Sequence, residues 1–157
     1  MEARMNFFAN PVGGKFLRYV NSAGAAVAAA GVPATTQELV KIRASQINGC
    51  GFCTDMHTTD ATQAGETQTR LNLVAVWREV TVFTEAERAA LELTEQGTRI
   101  ADGAGGVTDE AWDRAREHYD EDQLAALVGL ISLINAYNRL NVIIRQPGGS
   151  YRPGMFG

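Results

Sequence analysis

The sequence predicts an all-α fold in which residues 1–157 form a single domain. Apolar residues recur at the spacing of one helix face along most of the chain. Glycine, proline and capping residues separate these apolar segments at intervals typical of helices. The one competing strand, residues 80–83, is short and lies between two helix signals. A chain of this length, without repeats or an internal linker, has the ordinary size of one domain.

Four helices are predicted in the first half of the chain, over residues 15–30, 34–47, about 51–64 and 67–80. Gly31 and Pro33 end the first of them, because glycine and proline follow helix ends. Thr35 and Glu38 fit a capping box at the start of the second helix. Gly65 ends the third helix.

Three further helices are predicted, over residues 84 to about 101, 108 to about 119 and 120 to about 145. Thr84 with Glu87 fits a capping box, and Thr108 fits the N-cap of the next helix. The last helix starts at Asp120, and its residues 124–133 are apolar on most sides. This pattern predicts that the last helix is the central buried one.

Composition and charge exclude several classes of function. The formal net charge is −4, without a cluster of lysine and arginine, so we expect no nucleic-acid partner. The most apolar run, residues 23–32, is too short to cross a bilayer, so we expect no membrane partner. The first residues lack the pattern of a signal peptide, which makes the cytoplasm the expected compartment. In that compartment a C-x-x-C motif is more often catalytic or metal-binding than structural.

The two cysteines of the chain, Cys50 and Cys53, form such a motif, and His57 follows four residues after the second. The motif lies where a helix is predicted to begin, and a helix N-terminus favours the thiolate form of a cysteine. Cys53 and His57 share one helix face, so the imidazole can exchange protons with a thiol near neutral pH. The motif therefore predicts thiol redox chemistry.

Glu38 has two possible roles. It lies on the preceding helix, and the Asn48–Gly49 connection can fold that helix back so that the carboxylate faces the cysteines. Alternatively, Glu38 only closes the capping box with Thr35. Spacing alone does not separate the two roles.

Two alternatives for the cysteines stay open at this stage. They can be a passive buried pair, or they can bind zinc together with His57. That set supplies three ligands, whereas a structural zinc site takes four. The second histidine, His118, has no evident link to the motif, and we expect it on a solvent-facing helix side.

The two ends, residues 1–14 and 146–157, differ from the rest in their content of glycine, proline and aromatic residues. They can be flexible tails. They can also be arms on a neighbouring subunit, because buried aromatic rings supply a large contact area. The anchoring rings would be Phe7, Phe8, Tyr151 and Phe156.

The spacing Glu38-x11-Cys50-x2-Cys53-x3-His57 resembles the signature of the AhpD-like alkylhydroperoxidases, within the carboxymuconolactone decarboxylase superfamily. The similarity extends over residues 41–64 and 73–90, and covers roughly residues 35–95. Residues 138–149 are also similar to small single-domain members.

The resemblance implies an all-helical bundle that assembles as a homo-trimer or homo-hexamer. It further implies that Cys53 attacks a peroxide as thiolate and that Cys50 closes a disulfide with the resulting sulfenic acid. Glu38 and His57 would relay the protons, through a water molecule. No bound cofactor is implied. An external dithiol or a protein, such as one that carries a lipoyl group, would reduce the disulfide.

Phe52 departs from the best-characterised members, which carry a histidine just before the second cysteine. An apolar ring cannot relay protons, so the accepted substrate can differ, and a small disulfide can replace the peroxide. The alternative functions are therefore a disulfide oxidoreductase or a redox sensor of the same fold. Decarboxylation is not expected, because that branch of the superfamily generally works without the cysteine pair.

Overall fold

A computed structural model describes residues 2–103 and 105–155, and every regular element in these ranges is a helix. The elements are α1 (Pro11–Ala28), α2 (Ala34–Ile47), α3 (Gly51–Gln63), α4 (Gln68–Leu73), a 3-10 helix (Val74–Glu79), α5 (Glu85–Thr98), α6 (Asp109–His118) and α7 (Glu121–Ile144). The prediction of an all-α fold is confirmed.

The first helix begins four residues earlier than the sequence pattern predicts. The Asn10 side chain caps α1 by accepting hydrogen bonds from the backbone N–H groups of Val12 and Gly13. Pro11 follows at the first helical position, where its missing N–H costs nothing. This start signal lies before the apolar run that defined the predicted boundary.

Two of the predicted helix starts have their expected caps. Thr84 and Glu87 form a full capping box at α5, and the Thr108 side chain accepts a hydrogen bond from the third residue of α6. The predicted capping box of Thr35 with Glu38 is wrong. Helix α2 starts directly after Pro33, without a side-chain cap. The Glu38 carboxylate therefore takes no part in capping this helix.

The predicted helix over residues 67–80 is interrupted. Helix α4 ends at Leu73, and a 3-10 helix continues to Glu79, with Val76 outside helical dihedral angles. The Arg88 guanidinium binds the carbonyl oxygens of Trp77 and Val80. These contacts join the end of the 3-10 segment to α5.

Helix α7 packs against α1, α2, α3, α5 and α6, so it is central in the bundle. One side nevertheless lies at the surface, where Val128, Val142 and Ile143 are exposed. The helix is long and apolar enough to cross a membrane, judged by length and composition. Its contacts with five other helices give a second reason for this apolar character.

The cysteine motif lies where α2, α3 and α7 meet. Helices α2 and α3 are joined by a short turn in which Gly49 has a φ of +64°, a conformation that suits glycine. The turn reverses the chain, so that α3 packs back along α2. Helix α7 then covers the first turn of α3.

The terminal segments contact their own chain. The backbone N–H of Arg4 donates to the carbonyl oxygen of Ile144, at the end of α7. The backbone N–H groups of Gly149 and Tyr151 donate to the Asp55 carboxylate of α3. Contact of these segments with a neighbouring subunit stays a prediction, and Phe156 lies outside the described residues.

Candidate functional site

Cys50 caps helix α3 and Cys53 lies in its first turn. The Cys50 Sγ accepts a hydrogen bond from the backbone N–H of Cys53 at 3.4 Å. Both cysteines are free thiols and both are buried, with exposed fractions of 2% and 0%. The sequence therefore places two thiols within reach of each other at a helix N-terminus, where negative charge is favoured.

The two thiols share a hydrogen bond that separates their pKa values. This bond lowers the pKa of Cys50 to about 7, and it outweighs burial, which acts in the opposite direction. The same bond raises the pKa of Cys53, and burial adds to the increase. At neutral pH the pair therefore readily holds one proton and one negative charge between two sulfur atoms.

His57 is paired with Glu38, which agrees with one of the two roles that spacing alone left open. Its Nδ1 lies 2.9 Å from the Glu38 Oε2. Burial raises the pKa of Glu38. The hydrogen bond and charge of His57, together with the neighbouring Lys41, lower this pKa by more than burial raises it, so the net pKa is below the ordinary range. An ionised carboxylate only accepts hydrogen bonds, so Nδ1 of His57 carries its proton and donates. The second ring nitrogen, Nε2, is then the basic one.

A cavity of about 480 Å³ lies between α1, α2, α3 and α7. The cavity wall includes Cys53, His57 and Phe52. Cys50 is not one of the described residues that line the cavity. The rest of its wall is mainly apolar and includes Leu130, Leu133, Ile134 and Leu140. Cys53 thus lies in the wall of the cavity, although its exposed fraction is 0%, and Phe52 forms part of the same wall.

A column of asparagines on α7 supports the motif, and the sequence analysis missed it. Asn135 and Asn138 accept hydrogen bonds from the Asn48 side chain, each at 2.9 Å. Asn141 donates from Nδ2 to the Cys53 Sγ at 3.3 Å. The available signal was three asparagines at intervals of three residues inside an otherwise apolar helix, since buried amides are retained only with partners.

No group of three or more His, Cys, Asp and Glu side chains in the described ranges is arranged to hold a metal ion. One ring nitrogen of His57 is already bound to Glu38. His118 is exposed at the end of α6, away from α3.

The carboxymuconolactone decarboxylase family matches residues 14–96. Uncharacterized protein YdfG of Bacillus subtilis (strain 168) is 47% identical over 116 residues, which are 74% of this chain and 78% of that protein. Uncharacterized protein YnjA of Escherichia coli (strain K12) is 31% identical over 71% of this chain, and the match spans only 59% of the E. coli protein.

A solved structure agrees with the described fold. It is ATU0492 of Agrobacterium tumefaciens, a protein of unknown function and a candidate antioxidant defence protein AhpD. It superposes with a TM-score of 0.86 at 33% identity, and the match covers 96% of this chain and 100% of that one. The chain therefore belongs to the carboxymuconolactone decarboxylase family, as an AhpD-like member.

Proposed function

We propose that this protein reduces organic hydroperoxides in a thiol–disulfide cycle and depends on an external dithiol for its return to the reduced state. One observation carries the proposal. Cys53 faces an apolar cavity beside the His57–Glu38 pair, and Cys50 lies behind it within hydrogen-bond distance. The family membership and the similarity to a candidate AhpD protein agree with this activity.

In the first step, the Cys53 thiolate attacks the terminal oxygen of the hydroperoxide. A sulfur–oxygen bond forms and the O–O bond breaks, which yields a sulfenic acid and an alkoxide. The alkoxide receives the proton that the thiol lost. Between leaving the thiol and reaching the alkoxide, this proton is held by His57, because Nε2 is the basic nitrogen of the ring. A water molecule connects Nε2 to the sulfur.

In the second step, the Cys50 thiolate attacks the sulfenic sulfur. A disulfide forms, and the sulfenic oxygen leaves as water after it takes one proton. An external dithiol then reduces the disulfide by exchange, and is itself oxidised to a disulfide. The lowered pKa of Cys50 favours it as the attacking thiolate in the second step and as the leaving thiolate during exchange.

The assignment of the attacking sulfur depends on the cavity and not on the pKa values. The pKa of Cys50 is the lower of the two, yet the cavity reaches Cys53. Because one proton is shared in the hydrogen bond between the sulfur atoms, its transfer to Cys50 moves the negative charge to Cys53. The position of Cys53 in the cavity wall therefore favours it as the attacking sulfur.

The substrate that fits is a hydroperoxide with a compact apolar group. The wall around Cys53 is mainly apolar and includes leucine, isoleucine, phenylalanine and methionine side chains. Such a wall favours an alkyl or aryl hydroperoxide over hydrogen peroxide, because burial of apolar surface adds to binding.

The proposal is tested by counting free thiols in the reduced protein before and after one equivalent of cumene hydroperoxide, with the rate followed by stopped flow. We expect rapid loss of two thiols per chain and a Cys50–Cys53 disulfide by mass spectrometry. Cys53→Ser should not react, whereas Cys50→Ser should react once and stop at the sulfenic acid. No loss of thiols over many minutes would contradict the proposal.

A second candidate is a disulfide oxidoreductase that uses the same residues. Phe52 favours it, because an apolar ring inside the motif offers no proton donor to a peroxide. The pKa of Cys50, about 7, is also typical of thiols that exchange disulfides. Oxidation of the reduced protein by oxidised lipoamide, with no reaction toward hydroperoxides, would establish this function instead.

A further inference from the structure

Asn141 has a buried amide oxygen that no protein group satisfies. The side chain lies on α7, is 4% exposed and lines the cavity beside Cys53. Its Nδ2 donates to the Cys53 Sγ at 3.3 Å. Its Oδ1 is the one buried side-chain polar atom among the described residues that has no hydrogen-bond partner.

The other two asparagines of the column provide an internal comparison. The Oδ1 atoms of Asn135 and Asn138 both accept from the Asn48 side chain. The third, Asn141, is the one that lines the cavity. A buried amide oxygen without a donor is unfavourable, and such atoms in native proteins call for a physical explanation. The position of this atom indicates a donor that comes from the cavity.

We propose that Asn141 orients the hydroperoxide by accepting the O–H hydrogen bond of its terminal oxygen at Oδ1. This inference rests on the proposed function. Oδ1 and Nδ2 belong to one amide, so a donor bound at Oδ1 lies next to the sulfur bound at Nδ2. The terminal oxygen is the atom that Cys53 attacks, and the apolar remainder of the molecule then extends into the cavity.

The same hydrogen bond persists through the reaction. The new S–O bond forms at the terminal oxygen, the O–O bond breaks, and the alkoxide takes the proton lost by the thiol. The hydrogen on the terminal oxygen stays there and becomes the O–H of the sulfenic acid, which continues to donate to Oδ1. Asn141 therefore touches the reacting atoms before and after the O–O bond breaks, and a dialkyl peroxide lacks the group that it binds.

The test compares two reagents that react with the same thiol, Cys53, in a Cys50→Ser background that removes the second thiol. Cumene hydroperoxide can donate a hydrogen bond to Oδ1, whereas methyl methanethiosulfonate has no O–H or N–H to donate. Asn141→Leu removes both amide functions at similar volume. Loss of Nδ2, which donates to the Cys53 sulfur, slows the reaction with both reagents. Loss of Oδ1, which accepts from the hydroperoxide, slows only the reaction with hydroperoxide. We expect the hydroperoxide rate to fall at least about tenfold more than the methanethiosulfonate rate.

Asn141→Asp separates the two roles further. It keeps an acceptor oxygen but loses the donor, so both rates should fall together and their ratio should stay near that of the wild type. Asn72→Leu is the matched control, since Asn72 lies on α4 and pairs with Gln68. Circular dichroism checks the fold of each variant.

Each outcome has one meaning. An equal fall of both rates in Asn141→Leu would overturn the role of Oδ1 and leave the proposed function intact, provided that the wild type consumes hydroperoxide. If the wild type reacts with methanethiosulfonate but not with hydroperoxide, the proposed function and this inference both fail. If Asn141→Leu does not fold, the same two rates are compared in Asn141→Ala, where a change of the rate ratio supports the inference and an unchanged ratio overturns it.

Discussion

His57 is held in one orientation by the Glu38 carboxylate. The hydrogen bond at 2.9 Å joins α3 to α2 and keeps the proton on Nδ1. Lys41 binds the other oxygen of the same carboxylate at 2.7 Å, which favours its ionised form. Glu38 therefore acts through His57, as a positioning residue, and the imidazole is the group that exchanges protons with the cavity.

Replacement of His57 by glutamine should slow reaction with hydroperoxide by about 10²-fold, because a general base is lost while the side-chain amide can still bond to Glu38. Glu38→Gln should slow it less, since the base remains but its tautomer is no longer set. Stopped-flow rates at pH 7 measure both effects. His118→Gln is the matched control on the other histidine, and a normal rate in His57→Gln would exclude the proton-transfer role.

The ionisation of the cysteine pair depends on pH through the hydrogen bond between the two thiols. In the wild type, thiolate absorbance near 240 nm should increase with a midpoint near pH 7, because the hydrogen bond between the thiols lowers the pKa of Cys50. Cys50→Ala removes that bond, and burial then opposes ionisation of Cys53. The midpoint should move above 7. An unchanged midpoint in Cys50→Ala would mean that Cys53 ionises first.

Glu95 joins three helical elements on the far side of α2. Its carboxylate accepts hydrogen bonds from Arg43 of α2 at 2.6 Å, from the Trp77 indole at 3.0 Å and from Arg78. Trp77 and Arg78 belong to the 3-10 helix, so Glu95 joins this segment to α2 and α5. Burial raises the pKa of Glu95. The three hydrogen-bond donors lower this pKa by more than burial raises it, so the net pKa is below the ordinary range.

Glu95→Gln should lower the free energy of unfolding at pH 7 by roughly 1–3 kcal/mol, because charged hydrogen bonds are lost in a buried place. A carboxylate with a lowered folded-state pKa contributes stability above its unfolded pKa of about 4.3 and loses it as pH falls through the folded value. The difference from wild type should therefore shrink in urea unfolding at pH 3. Glu79→Gln, at an exposed site, is the control, and a difference independent of pH would contradict the argument.

The C-terminal segment lies closely against the start of α3. A side chain at Gly148 would place its Cβ 2.7 Å from the Gly51 carbonyl oxygen, which is too short for any contact. Only glycine allows this approach, and the Asp55 carboxylate then binds the backbone N–H groups of Gly149 and Tyr151. The segment thus covers the helix that carries the cysteines.

Gly148→Ala should displace this segment and speed alkylation of Cys50, measured with iodoacetamide in a Cys53→Ser background. We expect a several-fold increase, since a locally opened segment exposes the first turn of α3. Ser150→Ala in the same background is the matched control. An unchanged rate with a normal unfolding transition would show that the segment does not limit access to Cys50.

The molecule as a whole exposes more surface than its mass predicts. Its accessible area is 8778 Å², whereas a folded monomer of 16.9 kDa exposes about 7,700 Å². Exposed apolar side chains concentrate on α1 and α7, with Val12, Phe16 and Tyr19 on the first and Val142 and Ile143 on the second. Contiguous apolar patches on a protein surface mark interfaces.

We propose that the chain assembles through these two helices, as the homo-trimer or homo-hexamer that the family resemblance implies. Light scattering after gel filtration should give three or six times 16.9 kDa. The double change Val142→Lys and Ile143→Lys should reduce the mass toward one chain while the helical circular dichroism stays constant. Glu121→Lys together with Asp122→Lys, at the opposite end of α7, is the charge control. A monomeric wild type at micromolar concentration would refute this assembly.

Much of the candidate site could be predicted from short stretches of sequence. The helix capped by Cys50 and the shared face of Cys53 and His57 depend on residues close together in the chain. The short turn between α2 and α3 made a contact of Glu38 with the motif possible but did not decide it. The contact between Asn141 and Cys53 joins positions 88 residues apart, and no local spacing reports it.

The sequence alone determined the all-α class and most helix boundaries, because capping residues, glycines and apolar spacing act within one or two helical turns. The tertiary structure alone decided that Glu38 binds His57 and does not cap α2, that the 3-10 helix interrupts the fourth predicted helix, and that Cys53 is the thiol that faces the cavity. These features depend on which helices pack together, and packing is set by contacts between residues that are distant in the chain.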